Sequence, residues 1–103
     1  STIFIDEAQF FDDLYKFVKC SIEIHHKHVI VIGLDGDSDR HNFGQIHKLI
    51  PLADDITKLK ALCSLCSDGT PGIFSKKKIH SSDQVDIGST DKYIAVCRKC
   101  YLK

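Results

Sequence analysis

Four cysteines stand in two pairs of identical spacing, Cys63-Ser-Leu-Cys66 and Cys97-Arg-Lys-Cys100. A C-x-x-C pair on a tight turn can aim two thiolates at one ion about 2.3 Å away, and two such pairs complete the closed tetrahedron that structural zinc prefers. The pattern predicts a zinc ion (Zn2+) held by Cys63, Cys66, Cys97 and Cys100. Every ligand position is then a protein sulfur, so no place remains for a catalytic water and the metal's role is structural. A thioredoxin-like redox pair is the competing reading, but it needs one C-x-x-C rather than two. Cys20, the fifth cysteine, reads as a small residue of a helix face or core.

A second arrangement with chemical potential is Ile3-Phe4-Ile5-Asp6-Glu7. Two acids at the end of an apolar strand are how nucleotide-handling P-loop proteins hold magnesium against phosphates, and the second acid can then serve as a base. The same residues fit equally well as acids stabilised at a helix N-terminus. Of the six histidines, His25, His26 and His28 flank a turn, and no two of them have the i, i+4 spacing of a helical metal pair. His41, His47 and His80 stand singly and receive no chemistry.

These residues need elements to hold them. Ile3-Phe4-Ile5 reads as a buried strand, and Gln9 to about His25 as a helix with Phe10, Leu14, Phe17, Val18 and Ile22 on one stripe and Asp12 and Asp13 in its early turns. Val29 to Leu34 is a β-branched run without alternation, the mark of a strand covered on both faces in a parallel sheet. Strand, helix and strand make one βαβ crossover. Asp35 to Phe43 is polar and is expected to loop at the carboxyl end of that strand, where open α/β sheets bind ligands. Gly44 to Leu49 predicts a short helix ending before Pro51, and Ile56 to Leu62 a further strand. From Cys63 the chain changes to short strands with Ser, Gly and Asp turns, so the expected organisation is an α/β part over 1–62 and a small metal-built lobe over 63–103. Lys76-Lys77-Lys78 is read as a solvated turn.

The composition admits these elements and narrows the partners. With 43% hydrophobic and 27% charged residues in 103, the chain has the make-up of one small globular protein, short enough that a metal staple adds usefully to its core. Fourteen basic and fourteen acidic side chains cancel, so bulk charge draws it neither to nucleic acid nor to an acidic membrane. No eighteen-residue apolar run and no leader-like segment occurs, and the expected compartment is the cytoplasm.

Several segments, in order, resemble the type II thymidine kinases, the cytosolic and viral family with a P-loop α/β domain and a zinc-bearing lasso lobe. They are Phe4 to Phe11, Gly33-Leu34-Asp35-Gly36, Arg40, Phe43-Gly44, Leu49 to Asp54, Lys58-Leu59, Cys63-x-x-Cys66, Ile87-Gly88, Asp91-Lys92-Tyr93 and Cys97-x-x-Cys100-Tyr101. The resemblance covers nearly the whole chain. It implies a partial P-loop nucleoside kinase domain that begins at the Walker-B strand, followed by the lasso lobe. It implies transfer of a phosphoryl group from ATP to the 5′-hydroxyl of thymidine, with Glu7 as base and Asp6 acting on Mg2+ through its water shell. Gln9, Phe10, Leu34 and Phe43 would line the nucleoside pocket, while Ile87, Gly88 and Tyr93 belong to the lasso that closes over the base. It further implies a homotetramer and feedback inhibition by thymidine triphosphate.

The sequence departs from the family pattern at three places. Ser38-Asp39-Arg40 stands where the family has Phe-Gln-Arg, which removes an aromatic wall from the pocket and adds an acid. Gly88-Ser89 replaces a glycine pair. The Gly-x-x-x-x-Gly-Lys-Ser/Thr loop that cradles ATP phosphates is not among the 103 residues, since the family carries it upstream of the matching part. The expectation is therefore little or no kinase activity of the chain by itself, either as a partial chain or as a degenerate remnant. A zinc-ribbon interaction module without catalysis is the alternative, and a helicase piece carrying Asp6-Glu7-Ala8-Gln9 a third reading.

Overall fold

The computed structural model describes residues 1–78 and 92–103. The chain forms two compact units, one of residues 1–37 and 41–57, the other of residues 38–40 and 58–103. The candidate carboxylates lie in the first and the four cysteines in the second.

In the first unit β1 (Thr2–Ile5) pairs in parallel with β2 (His28–Val31), in the register Thr2 to His28 through Ile5 to Val31. Helix α1 (Leu14–Glu23) makes the crossover between them, as the βαβ reading anticipated. Its buried face is Leu14, Val18 and Ser21, the i, i+4, i+7 spacing of a single stripe. Leu14 and Val18 join Ala8 and Leu49 in a core against which Ile5, Ile22, Val29, Val31 and Ile46 pack. Burial of each large aliphatic side chain stabilises such a core by about 1.5–3 kcal/mol.

Four details differ from the sequence reading. Helix α1 begins at Leu14, not Gln9, because Phe11 is extended and Ala8–Phe10 form a separate 3-10 turn. Asp12 and Asp13 consequently precede the helix, and Phe17 is half exposed. Gln45 replaces the missing cap from a distant segment: its Oε1 accepts the Tyr15 N–H at 2.8 Å and its Nε2 donates to the Asp12 carbonyl. Strand β2 stops at Val31, and Phe4, Ile32 and Leu34 are exposed to at least half, so the expected burial on both faces does not hold among the described residues. One side of the strand pair meets α1 and the core, which leaves β1 alternating between exposed and half-buried positions. Pro51 does not end the next helix; a 3-10 helix spans Ile46–Leu52 through it, since the fixed proline φ suits 3-10 geometry. The strand expected over Ile56 to Leu62 is reduced to β3 (Ala61–Leu62), with Ile56 and Leu59 exposed.

In the second unit β3 pairs antiparallel with β4 (Pro71–Gly72), and β5 (Phe74–Lys77) with β6 (Tyr93–Val96). Helix α2 (Arg98–Leu102) follows. Lys76-Lys77-Lys78 is strand and its exit rather than a turn, paired to Tyr93 and Ile94. The core is Cys63, Val96 and Cys100, with Phe74, Ile94 and Tyr101 packed against it. So few buried apolar groups hold a fold weakly unless something else staples it. Gly72 lets the two hairpins meet: a Cβ there would lie 2.8 Å from the Cys63 Cα.

Candidate functional site

The two C-x-x-C pairs converge. Cys63 to Cys66 form a turn in which the Cys66 N–H points at the Cys63 sulfur, 3.4 Å away, and the Ser67 N–H returns to the Cys63 carbonyl. Cys97 occupies the N-cap of α2 and Cys100 its first turn. The Cys66 sulfur lies 3.8 Å from that of Cys97 and 3.7 Å from that of Cys100, and all four sulfurs fall within 4.8 Å of one another. A tetrahedron with metal–sulfur bonds of about 2.3 Å has edges of about 3.8 Å. The donor set therefore fits one soft divalent ion, and these four cysteines could hold it.

Electrostatics divide the sulfurs. Burial works against the charged form of Cys63, but the N–H groups of Cys66, Cys97 and Leu65 more than offset it and bring the thiol down to about 6. The Cys100 N–H likewise lowers Cys97. Cys66, which shares hydrogen bonds with the sulfurs of Cys100, Cys63 and Cys97, is pushed up to about 12, and burial raises Cys100. At pH 7 Cys63 is thus mostly ionised, and the protons the cluster keeps include that of Cys66. Binding an ion displaces them, so at pH 7 zinc addition is expected to release fewer than four protons per ion, measured by pH-stat titration, with affinity falling as the pH drops.

Helix α2 also anchors the segment 38–40. The Tyr101 hydroxyl donates to the Ser38 carbonyl, and the Arg40 guanidinium lies over the Tyr101 ring at 4.5 Å and the Phe74 ring at 5.3 Å. Phe74, whose ring also carries Arg98 at 4.8 Å, was not singled out from sequence; an isolated aromatic in a basic stretch gives no signal of what covers it.

In the first unit Asp6 and Glu7 stand exposed just beyond the carboxyl end of β1. Glu7 has left-handed backbone angles, φ 53° and ψ 42°, uncommon for a residue with a side chain and frequent at functional turns. The Asp6 carboxylate accepts the Glu7 N–H at 2.9 Å, and the Ala8 N–H reaches the Ile32 carbonyl at 3.0 Å. Gln9 is buried; its Oε1 accepts the Leu34 N–H at 3.1 Å and its Nε2 donates to Glu7 Oε1 at 3.4 Å. Phe10 is mostly exposed and meets Phe43 edge to face at 5.5 Å. Three segments apart in sequence are thus joined around the strand ends: Asp6 to Phe10, Leu34 and Phe43. A solvent-open groove lined by Phe4, Asp6, Phe11 and Phe17 runs along β1 and α1, and it includes neither Glu7 nor Leu34. Tyr93 lies half exposed on β6 in the second unit. Ile87, Gly88 and His80 lie outside the described residues.

Gly44 makes the approach of its loop possible. With φ +64°, it passes so close that a Cβ would overlap the Gln9 carbonyl. Gly44→Ala is expected to cost about 2–4 kcal/mol of stability through that overlap and the left-handed backbone, read from urea unfolding.

A parallel βαβ unit with two carboxylates at its strand end, in one unit, and four cysteines that could hold a metal ion, in the other, make a small mixed helix-and-strand protein. The model of the thymidine kinase family matches residues 1–101, and the chain belongs to that family. It is 47% identical over 98 residues to a thymidine kinase of Oryza sativa subsp. japonica, covering 95% of this chain and 35% of the relative. It is 44% identical over 97 residues to a thymidine kinase of fowlpox virus, covering 94% and 51%. Thymidine kinase a of Arabidopsis thaliana is 46% identical over 98 residues, covering 95% and 40%. The chain thus spans from about a third to half of the length of these relatives. The match runs through the carboxylates and the cysteines alike, which a free-standing zinc module does not account for. No helix among the described residues is long and apolar enough to cross a membrane.

Proposed function

We propose that this chain supplies the catalytic base, the nucleoside pocket and the metal-stapled lobe of a thymidine kinase. The observation that carries this reading is the family match over residues 1–101 with Glu7 standing at the end of β1. In the proposed reaction the Glu7 carboxylate takes the proton of the thymidine 5′-hydroxyl as that oxygen attacks the γ-phosphorus of ATP, and ADP leaves. Asp6 would hold the water shell of the Mg2+ that accompanies ATP and neutralises phosphate charge. Phe10, Phe43 and Leu34 supply apolar walls for the thymine ring, joined by Gln9. Tyr93 and the segment with Ile87 and Gly88 cover the base, and polar groups left unpaired by a wrong base give specificity. The four cysteines hold zinc, which fixes the ends of that covering segment without entering the reaction. The homotetramer and the cytoplasmic compartment are carried over from the family resemblance.

The chain joined to an upstream Gly-x-x-x-x-Gly-Lys-Ser/Thr segment of a relative is expected to form thymidine 5′-phosphate from ATP and thymidine, followed by chromatography of labelled nucleoside. A folded, zinc-loaded chimera that makes no product would refute the reading.

A further inference from the structure

We infer that Gln9 is the positioning residue that aims the Glu7 carboxylate, tying the base to the backbone of Leu34 through a buried carboxamide. The inference rests on Glu7 being the base. Gln9 is 5% exposed, and the two ends of its amide are not interchangeable. The carbonyl end must face the Leu34 N–H, which it accepts at 3.1 Å, so the amino end is turned to Glu7 Oε1 at 3.4 Å. Flipping the amide would set donor against donor and oxygen against carboxylate. The contact to Glu7 is long, as catalytic contacts often are until substrate engages them.

Packing denies the carboxamide other positions. Gly33 makes room for it, since a Cβ there would lie 2.6 Å from Gln9 Oε1 and 2.5 Å from Ile46 Cδ1. Gly44 passes over the Gln9 main chain from the other segment. Glu7 itself sits in a left-handed conformation, which persists only where surroundings over-determine it. Gln9 is one of those surroundings, and the Ala8 N–H bond to Ile32 is another. The result is a rigid path from a wall of the proposed nucleoside pocket, Leu34, to the proposed base.

The test uses the active chimera and the variants Gln9→Glu, Gln9→Asn and Glu7→Gln. In Gln9→Glu an oxygen replaces the donating nitrogen, and a second carboxylate beside the first disfavours its ionisation. The expected result is a 10- to 100-fold lower kcat, KM for ATP within about threefold, and an acidic limb of the kcat–pH profile moved up by about one unit. A folded Gln9→Glu protein with an unmoved limb and wild-type kcat overturns the inference. A raised KM for thymidine with kcat and limb unmoved also overturns it, leaving Gln9 only its place in the proposed nucleoside pocket. If Gln9→Glu does not fold, Gln9→Asn decides: its shorter arm cannot span both partners, and about a tenfold loss of kcat is expected, whereas a wild-type kcat overturns the role. Full activity in Glu7→Gln would remove the base reading and this inference together. An inactive Glu7→Gln beside an unaltered Gln9→Glu removes the positioning role alone.

Discussion

Glu7→Gln is expected to lower thymidine phosphorylation by about 10²- to 10⁴-fold, the usual contribution of a positioned general base. The substitution is isosteric and exposed, so it leaves the core of Ala8, Leu14, Val18 and Leu49 untouched. Zinc content and the thermal midpoint are expected to match the wild type. The loss should fall on kcat rather than on KM for ATP, because an amide can still hold a hydroxyl but cannot accept its proton at neutral pH. Activity within about threefold of wild type, far short of that loss, would assign the base elsewhere.

Removal of the metal should have the largest effect on stability. Beyond Cys63 and Cys100, Val96 is the buried hydrophobic residue of the second unit's core among the described residues. Apparent binding energies of structural zinc reach about 10–16 kcal/mol, more than so small a core provides. A strong chelator, or Cys100→Ser, is therefore expected to abolish the dispersed NMR signals of residues 58–78 and 92–103. Tyr101 is the most informative probe, since it follows Cys100 on α2 and donates to Ser38; its ring signal should move toward the random-coil position as metal leaves. A stoichiometry of one zinc per chain is expected by atomic absorption. A metal-free preparation that keeps these signals would make the cysteine cluster incidental.

Much of the candidate site was legible because its spacing is short. Two C-x-x-C pairs name four candidate ligands whatever the fold between them, and Asp6-Glu7 after Ile3-Phe4-Ile5 places acids at a strand end. Parallel pairing of β1 and β2 also follows from two apolar runs with a helical stripe between them. Helix limits were less legible. Leu14, Val18 and Ile22 announced α1, but Phe10 and Phe17 fit the same stripe and are exposed, because apolarity alone does not say which face finds a partner. Leu59 beside Lys58 and Lys60 read as part of a strand, yet among the described residues only Ala61–Leu62 finds a pairing neighbour, in Pro71–Gly72.

The sequence by itself determined the family, the four cysteines that could hold a metal and the acids proposed for catalysis, since each depends on residue type and local order. Tertiary structure decided how the acids are held. That Gln9 spans Glu7 and Leu34, that Gln45 caps α1 from another segment and that Gly44 crosses the Gln9 backbone are contacts between residues distant in the chain. No local pattern encodes them, because they arise only when burial brings their backbones together and leaves each polar group to find its partner there.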